Sequence, residues 1–198
     1  MPEVDSQVNL GFKMAGGLGP DNPMLRGVVG LRRRCDADAG VAPGPGFAKE
    51  ADHLSGLMYH SVLMTAVDLD SASQTPIASV RRTLEVRDKV ELSDILVDPD
   101  YAERDVLASV MIALNCHGRD RLRPVAANVN PAHKNTVGLL DKLGFSKDEE
   151  WSGIEIYSGV PAEDYYTLSS GQLAIRRNNR LPGGRALLKQ ARRSLHWV

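Results

Sequence analysis

Residues 90–145 read VELSDILVDPDYAERDVLASVMIALNCHGRDRLRPVAANVNPAHKNTVGLLDKLGF, and the hydrophobic period changes four times along them. This alternation limits the possible folds more than any other feature of the chain. Val90–Val97 is rich in β-branched residues and stops at Asp98-Pro99. Val106, Leu107, Val110, Met111 and Leu114 then recur along one helical face, with Asp100 and Glu103 spaced as a capping box before them. Val125–Val129 is a short apolar strand, and Asn130-Pro131 predicts a cap and an opening for a second helix. That helix turns Val137, Leu140 and Leu143 inward and meets Gly144, a left-handed stop, before Phe145. The order strand–helix–strand–helix–strand predicts a right-handed crossover and a parallel strand pair.

The remainder predicts a sheet around this unit. Residues 1–24, with MAGGLGPDNP, show no regular period and read as an N-terminal arm. Leu25–Cys35 predicts a first strand whose Arg32, Arg33 and Arg34 form a solvated end, or else a basic run meeting phosphate or an acidic partner. Asp36–Gly46 is a loop, Phe47–His60 a short amphipathic helix, and Val62–Leu69 and Ile77–Val86 two strands. Gly153–Tyr157 predicts a closing strand, with Tyr157, Tyr165 and Tyr166 as hydroxyl sources of unassigned place. The fold class is α/β (α+β): a mixed, twisted sheet flanked by helices, with a core domain at 25–160 between an arm at 1–24 and a basic extension at 161–198.

Charge and composition exclude several function classes. A chain of 198 residues with net charge −1 does not bind nucleic acid over its whole surface. No run approaches a membrane span, and the N-terminus lacks the form of a signal peptide, so the expected location is cytoplasmic or within a large intracellular or viral assembly. Cys35 and Cys116 read as reduced thiols. His53, His60, His117 and His133 lack metal-ligand spacing, so no metal is expected. From Tyr165 to Val198 there is no acidic residue, while Arg176, Arg177, Arg180, Arg185, Lys189, Arg192 and Arg193 are basic. Leu187, Leu188, Ala191 and Leu195 form an apolar stripe opposite these cations. This tail reads either as a helix docked on its own domain or, by a slight preference, as an arm for a protein or nucleic-acid partner.

The pieces ILVDPDY, the helix after it, NVNPAHKN and LLDKLGF, in this order, resemble the central part of the GNAT acyl-CoA-dependent N-acetyltransferase superfamily. The resemblance implies a GNAT-like fold, acetyl-CoA as cofactor and acyl transfer to an amine. By resemblance the backbone at Leu96 and Val97 contacts the acyl arm, and an acidic residue on the same strand, Glu91 or Asp94, deprotonates the acceptor directly or through water. Either carboxylate also reads as a surface salt-bridge residue.

The departures from the family pattern are equally specific. The family's glycine-rich pyrophosphate loop corresponds to Ala102, Glu103, Arg104, Asp105, Val106 and Leu107, which contain no glycine and two carboxylates. Arg104 alone has a favourable charge there. His133 stands where an amide side chain is frequent, and Leu140 where a tyrosine is proposed to protonate the departing thiolate. These departures imply weak or lost acetyl-CoA binding and a degenerate active site. The alternative function is a non-catalytic GNAT-fold structural or interaction protein in a larger assembly, such as a virion or ribonucleoprotein particle.

Overall fold

The computed structural model describes residues 9–42, 46–72, 75–84, 88–101, 103–153 and 162–198. Among the described residues, eight strands form one sheet: β1 (Leu10–Gly16), β2 (Ser61–Asp68), β3 (Pro76–Thr83), β4 (Val90–Val97), β5 (Val125–Val129), β6 (Ser146–Lys147), β7 (Asp164–Leu168) and β8 (Leu195–Trp197). Their spatial order is β6-β7-β5-β4-β3-β2-β1-β8. Neighbours are antiparallel except at β4/β5 and β1/β8. The mixed sheet flanked by helices and the parallel β4–β5 pair agree with the sequence expectation.

Among the described residues, six helices cover the sheet: α1 (Pro23–Asp38), α2 (Phe47–Leu57), α3 (Arg104–Asn115), α4 (Lys134–Leu143), α5 (Gly171–Asn178) and α6 (Gly184–Ser194). Leu25, Val28 and Val29 of α1 and Ala51 and Leu54 of α2 share a cluster with Ala15 and Leu63 of the sheet. The larger core joins Leu92, Val125 and Ala127 to Leu107, Met111 and Leu114 of α3, Leu140 of α4, Ala174 of α5, and Leu188 of α6. The two helical layers therefore lie on opposite faces of the sheet.

Several expectations are corrected. Leu25–Cys35 is helical: Asn22 accepts a hydrogen bond from Met24 N, and Pro23 stands in the first turn, so the chain enters α1 already capped. Gly27 lies within that helix because α1 crosses β3 closely; a methyl there would come 2.5 Å from Pro76 Cδ. Within the expected arm, Leu10–Gly16 pairs with β2 along its whole length. Asp100 and Glu103 make no capping box; Asp98 Oδ1 instead accepts from Asp100 N at 3.1 Å. Asn130 accepts from Ala132 N at 2.9 Å, one turn ahead of α4, and His133 takes the cap position. Gly144 ends α4 in the left-handed conformation, φ 73°, as its position predicts.

The C-terminal tail is docked. Leu188 and Ala191 of α6 are buried in the main core, and α5 and α6 both pack on α3. Leu195 continues into β8 beside β1. The preference for a free arm is overturned, because burial of the leucine stripe against α3 removes more apolar surface from water than a detached helix can. Val86 and the expected strand at 154–157, with Tyr157, lie outside the described residues; the strand next to β5 is β7. Among the described residues, no helix is long and apolar enough to cross a membrane.

Candidate active site

β4 and β5 pair only through Val90–Leu92 and Val125–Ala127 and part beyond them. Between their C-terminal ends opens a cleft of about 200 Å³, floored by Ile95, Leu96 and Val97. Arg104, Asp105 and Ala108 of α3 form one wall, and residues 132–136 with Leu139, at the start of α4, form the other. Cys35 and Asp38 of α1, with Ala39 just after it, close the third side.

A β-bulge shapes the strand that feeds this cleft. Ser79 opposes Leu96 and Arg81 opposes Ser93, so an extra residue stands on β4 between these pairs. Asp94 takes it up with φ 52°, the one non-glycine residue described with positive φ. Strict alternation would set Ser93 and Ile95 on one face. The bulge separates them: Ile95 joins Leu92 in the α3-side core, and Leu96 shares a face with Ser79.

Asp94 then turns to the α1 side and meets two guanidinium groups. Its Oδ1 lies 2.5 Å from Arg32 Nη2 and its Oδ2 lies 2.7 Å from Arg81 Nε. Burial pushes this carboxyl up, but Arg32 and Arg81 outweigh burial and hold it below the usual carboxylate range. Such a group is a fixed anion and a poor proton acceptor. Glu91, the other expected base, sits 3.7 Å from Lys89 Nζ and accepts from Asn128 Nδ2 at 3.4 Å.

A third carboxylate, absent from the sequence expectation, lies near this group. Glu163 precedes β7, and its carbonyl accepts from Gly153 N at 3.0 Å. The residue as a whole is exposed, and the charges acting on its carboxyl are those of Asp94, Arg32, Arg81 and His133. Desolvation of the carboxyl, and next the charge of Asp94, push its pKa above the ordinary range against Arg32, Arg81 and His133. No local motif marks Glu163. Its environment comes from residues distant in sequence that the sheet order brings together.

The arginine run expected at a strand end is committed to protein partners. Arg32 holds Asp94, Arg33 holds Glu50, and Arg34 meets Asp98 through both Nε (3.0 Å) and Nη2 (2.7 Å). Helical spacing sends the rest of the segment across the cleft. Cys35 Sγ lies 3.3 Å from Val97 O, Asp36 Oδ1 2.8 Å from His133 Nε2, and Asp38 Oδ2 3.7 Å from Arg104 Nη1. Burial pushes the Cys35 thiol up to about 12, which removes it as a nucleophile at neutral pH.

The expected cofactor contacts divide. Leu96, Val97, Arg104, Asp105 and His133 line the cleft, whereas Leu107 is fully buried in the core and neither it nor Val106 lines the cleft. With its amide oxygen turned toward α3, Asn135 accepts from Arg104 at 3.0 and 2.9 Å. Asp105 is bound by Lys142 at 2.7 Å, which offsets part of its charge. Among the described residues, no side-chain hydrogen bond caps α3. Leu140 faces the core, fully buried, so that position supplies packing and no proton. Cys116 and Cys35 are both free, and among the described residues no cluster of His, Cys, Asp and Glu could hold a metal ion.

No family model matches the chain, and no curated protein matches it in sequence. Solved structures do. An acetyltransferase from Thermus thermophilus is similar at TM-score 0.53 and 18% identity, over 80% of this chain and 96% of that one. An acetyltransferase from Streptococcus agalactiae gives TM-score 0.55 and 12% identity, over 79% and 97%. FdhC, a nucleotide-linked sugar GNAT, gives 0.54 and 10%, over 86% and 92%. With its parting parallel strands and the cleft between them, the chain has the fold of the GNAT N-acetyltransferase superfamily.

Proposed function

We propose that the chain is an acyl-CoA-dependent N-acyltransferase acting where β4 and β5 part. The observation that carries this reading is the cleft itself, open between the starts of α3 and α4 and floored by Ile95–Val97 where β4 leaves β5. An extended thioester arm fits such a floor as an added strand would, through main-chain hydrogen bonds. Arg104 and Lys134 are the cations at its walls, and Arg104 would exchange Asp38 and Asn135 for a phosphate.

The chemistry asks for an amine stripped of its proton beside the thioester carbonyl. Glu163 suits this better than Asp94, since a carboxylate raised above its ordinary pKa takes a proton more readily. The amine nitrogen attacks the carbonyl carbon, a C–N bond forms and the C–S bond breaks. The amine's proton passes to Glu163. The thiolate takes its proton from water, because Leu140 has none to give, and the protonated Glu163 gives its proton to the hydroxide left behind, which restores the carboxylate. Asp94, locked between Arg32 and Arg81, holds the bulge that shapes this end of β4.

One observation favours a second reading. The glycine-free start of α3 carries Asp105 into the cleft wall, and Leu140 is core. A fold that keeps the packing and loses these groups serves as a non-catalytic module in a larger assembly. Calorimetric titration with acetyl-CoA separates the two. Saturable heat together with thiol release when an amine is added supports transfer; no heat at millimolar acetyl-CoA supports the module.

A further inference from the structure

We propose that the α5–α6 face binds single-stranded nucleic acid through its phosphate backbone. Arg176, Arg180, Arg185, Lys189, Arg192 and Arg193 are all exposed there. The 3₁₀ turn Gly118–Leu122, which packs against α5, adds exposed Arg119 and Arg121. Among the described residues, none of these eight cations meets a carboxylate. Elsewhere the protein pairs its arginines: Arg32, Arg33, Arg34, Arg81, Arg82 and Arg123 each engage Asp or Glu. The unpaired set is therefore a local excess of positive charge in a chain of net charge −1. His117, 3.5 Å from Arg192, adds little to it, since burial and then Arg192 lower its pKa.

The form of the patch selects the ligand. Arg185, Lys189 and Arg192 recur turn by turn along α6 and make a row rising roughly 10 Å, suited to a polymer of repeated charge. Seven of the eight groups are guanidiniums, whose planar forks match phosphate oxygens. An anionic bilayer is disfavoured because the apolar face of α6, Leu188 and Ala191, is already buried on α3 and is not free to insert. Trp197, on the strand leaving α6, is 69% exposed and offers a surface on which an unpaired base can stack. The patch reaches the C-terminal end of α3 at His117, while the cleft lies at Arg104, a helix length of about 18 Å away. It does not depend on the transfer reaction.

The test uses the full chain and a fluorescein-labelled oligouridylate, read by anisotropy. If Arg185, Lys189, Arg192 and Arg193 each displace one counterion from a single strand, affinity falls roughly 50-fold between about 50 and about 200 mM salt. R185Q/K189Q/R192Q/R193Q, at unchanged melting temperature, should lose both the affinity and this salt dependence. W197A should weaken binding about tenfold and keep the salt slope. The deoxyribose counterpart should bind within a few-fold, since phosphate and base face are common to both. The proposal is overturned by no binding at about 50 mM salt or by full binding in the four-glutamine variant. It is equally overturned if the 2′-hydroxyl is required, or if oligoglutamate or phosphatidylserine vesicles compete as well as the oligonucleotide.

Discussion

Asp94 and Arg81 meet at 2.7 Å across the one irregularity in the β3–β4 ladder, so the ion pair and the bulge are a single device. The pair fixes a left-handed residue that would otherwise be strained, and Arg32 reaches the same carboxylate from α1. The sheet, the first helix and the cleft floor thus share one anchor. Replacing Asp94 with Asn should cost about 3 kcal/mol or more, because it leaves two largely buried guanidiniums uncompensated. Since the folded pKa is depressed, the stabilisation is present above the unfolded value, near pH 4, and is lost as pH falls through the folded one. Thermal melts of wild type and D94N should differ most at neutral pH and converge in acid; a constant gap would contradict this.

Glu163→Gln should lower kcat by about 10²–10⁴ and leave the acetyl-CoA dissociation constant unchanged. In the wild type the rate should climb with pH as the Glu163 carboxyl ionises, at a pH above that of an ordinary glutamate. The acid limb should vanish in E163Q. If Glu91→Gln removes that limb instead, Glu91 is the base.

Asp38→Asn frees Arg104 from a partly exposed ion pair, and the acetyl-CoA dissociation constant should fall about threefold. Arg104→Gln should raise it about tenfold. Calorimetry on both variants checks the pair. Equal affinity in all three proteins would mean that Arg104 does not meet the phosphates.

Leu188→Ala should destabilise the protein by about 2–5 kcal/mol, as for any fully packed leucine. Removing residues 185–198 should lower the melting temperature further and expose apolar surface to a hydrophobic dye. A truncated chain melting with the full one would show that α6 is not part of the core.

Gly27→Ala would press a methyl against Pro76 and separate α1 from β3, at a cost of about 1–3 kcal/mol despite the better helix propensity of alanine. Denaturant unfolding measures it directly. A stabilised G27A would mean that the proline yields.

The sequence was most legible where one period ran uninterrupted. Val90–Val97 and Val125–Val129 stand as strands at those bounds, and Gly144 ends its helix. In α1 the local signals conflict: Val28-Val29 favours a strand and Gly27 and Gly30 weaken a helix, while Asn22-Pro23 caps and opens one. β1 was obscured by the glycines that follow it, although its pairing with β2 is continuous. Of the candidate site, the motif names Leu96, Val97 and Arg104, which line the cleft. The partnership of Arg32, Arg81 and Asp94 and the setting of Glu163 are not legible there, because each joins segments far apart in the chain and no local spacing records them.

The place of β8 has a consequence for synthesis. Residues 195–197 pair in parallel with residues 12–14, so β1 lacks its second neighbour until the ribosome has nearly finished the stretch that ends at Trp197. Until then a nascent chain with β1–β7 already assembled carries a bare strand edge able to recruit another chain. Slow translation through α6 would lengthen that exposure, and a chaperone that shields β1 would be needed most until residues 195–197 emerge.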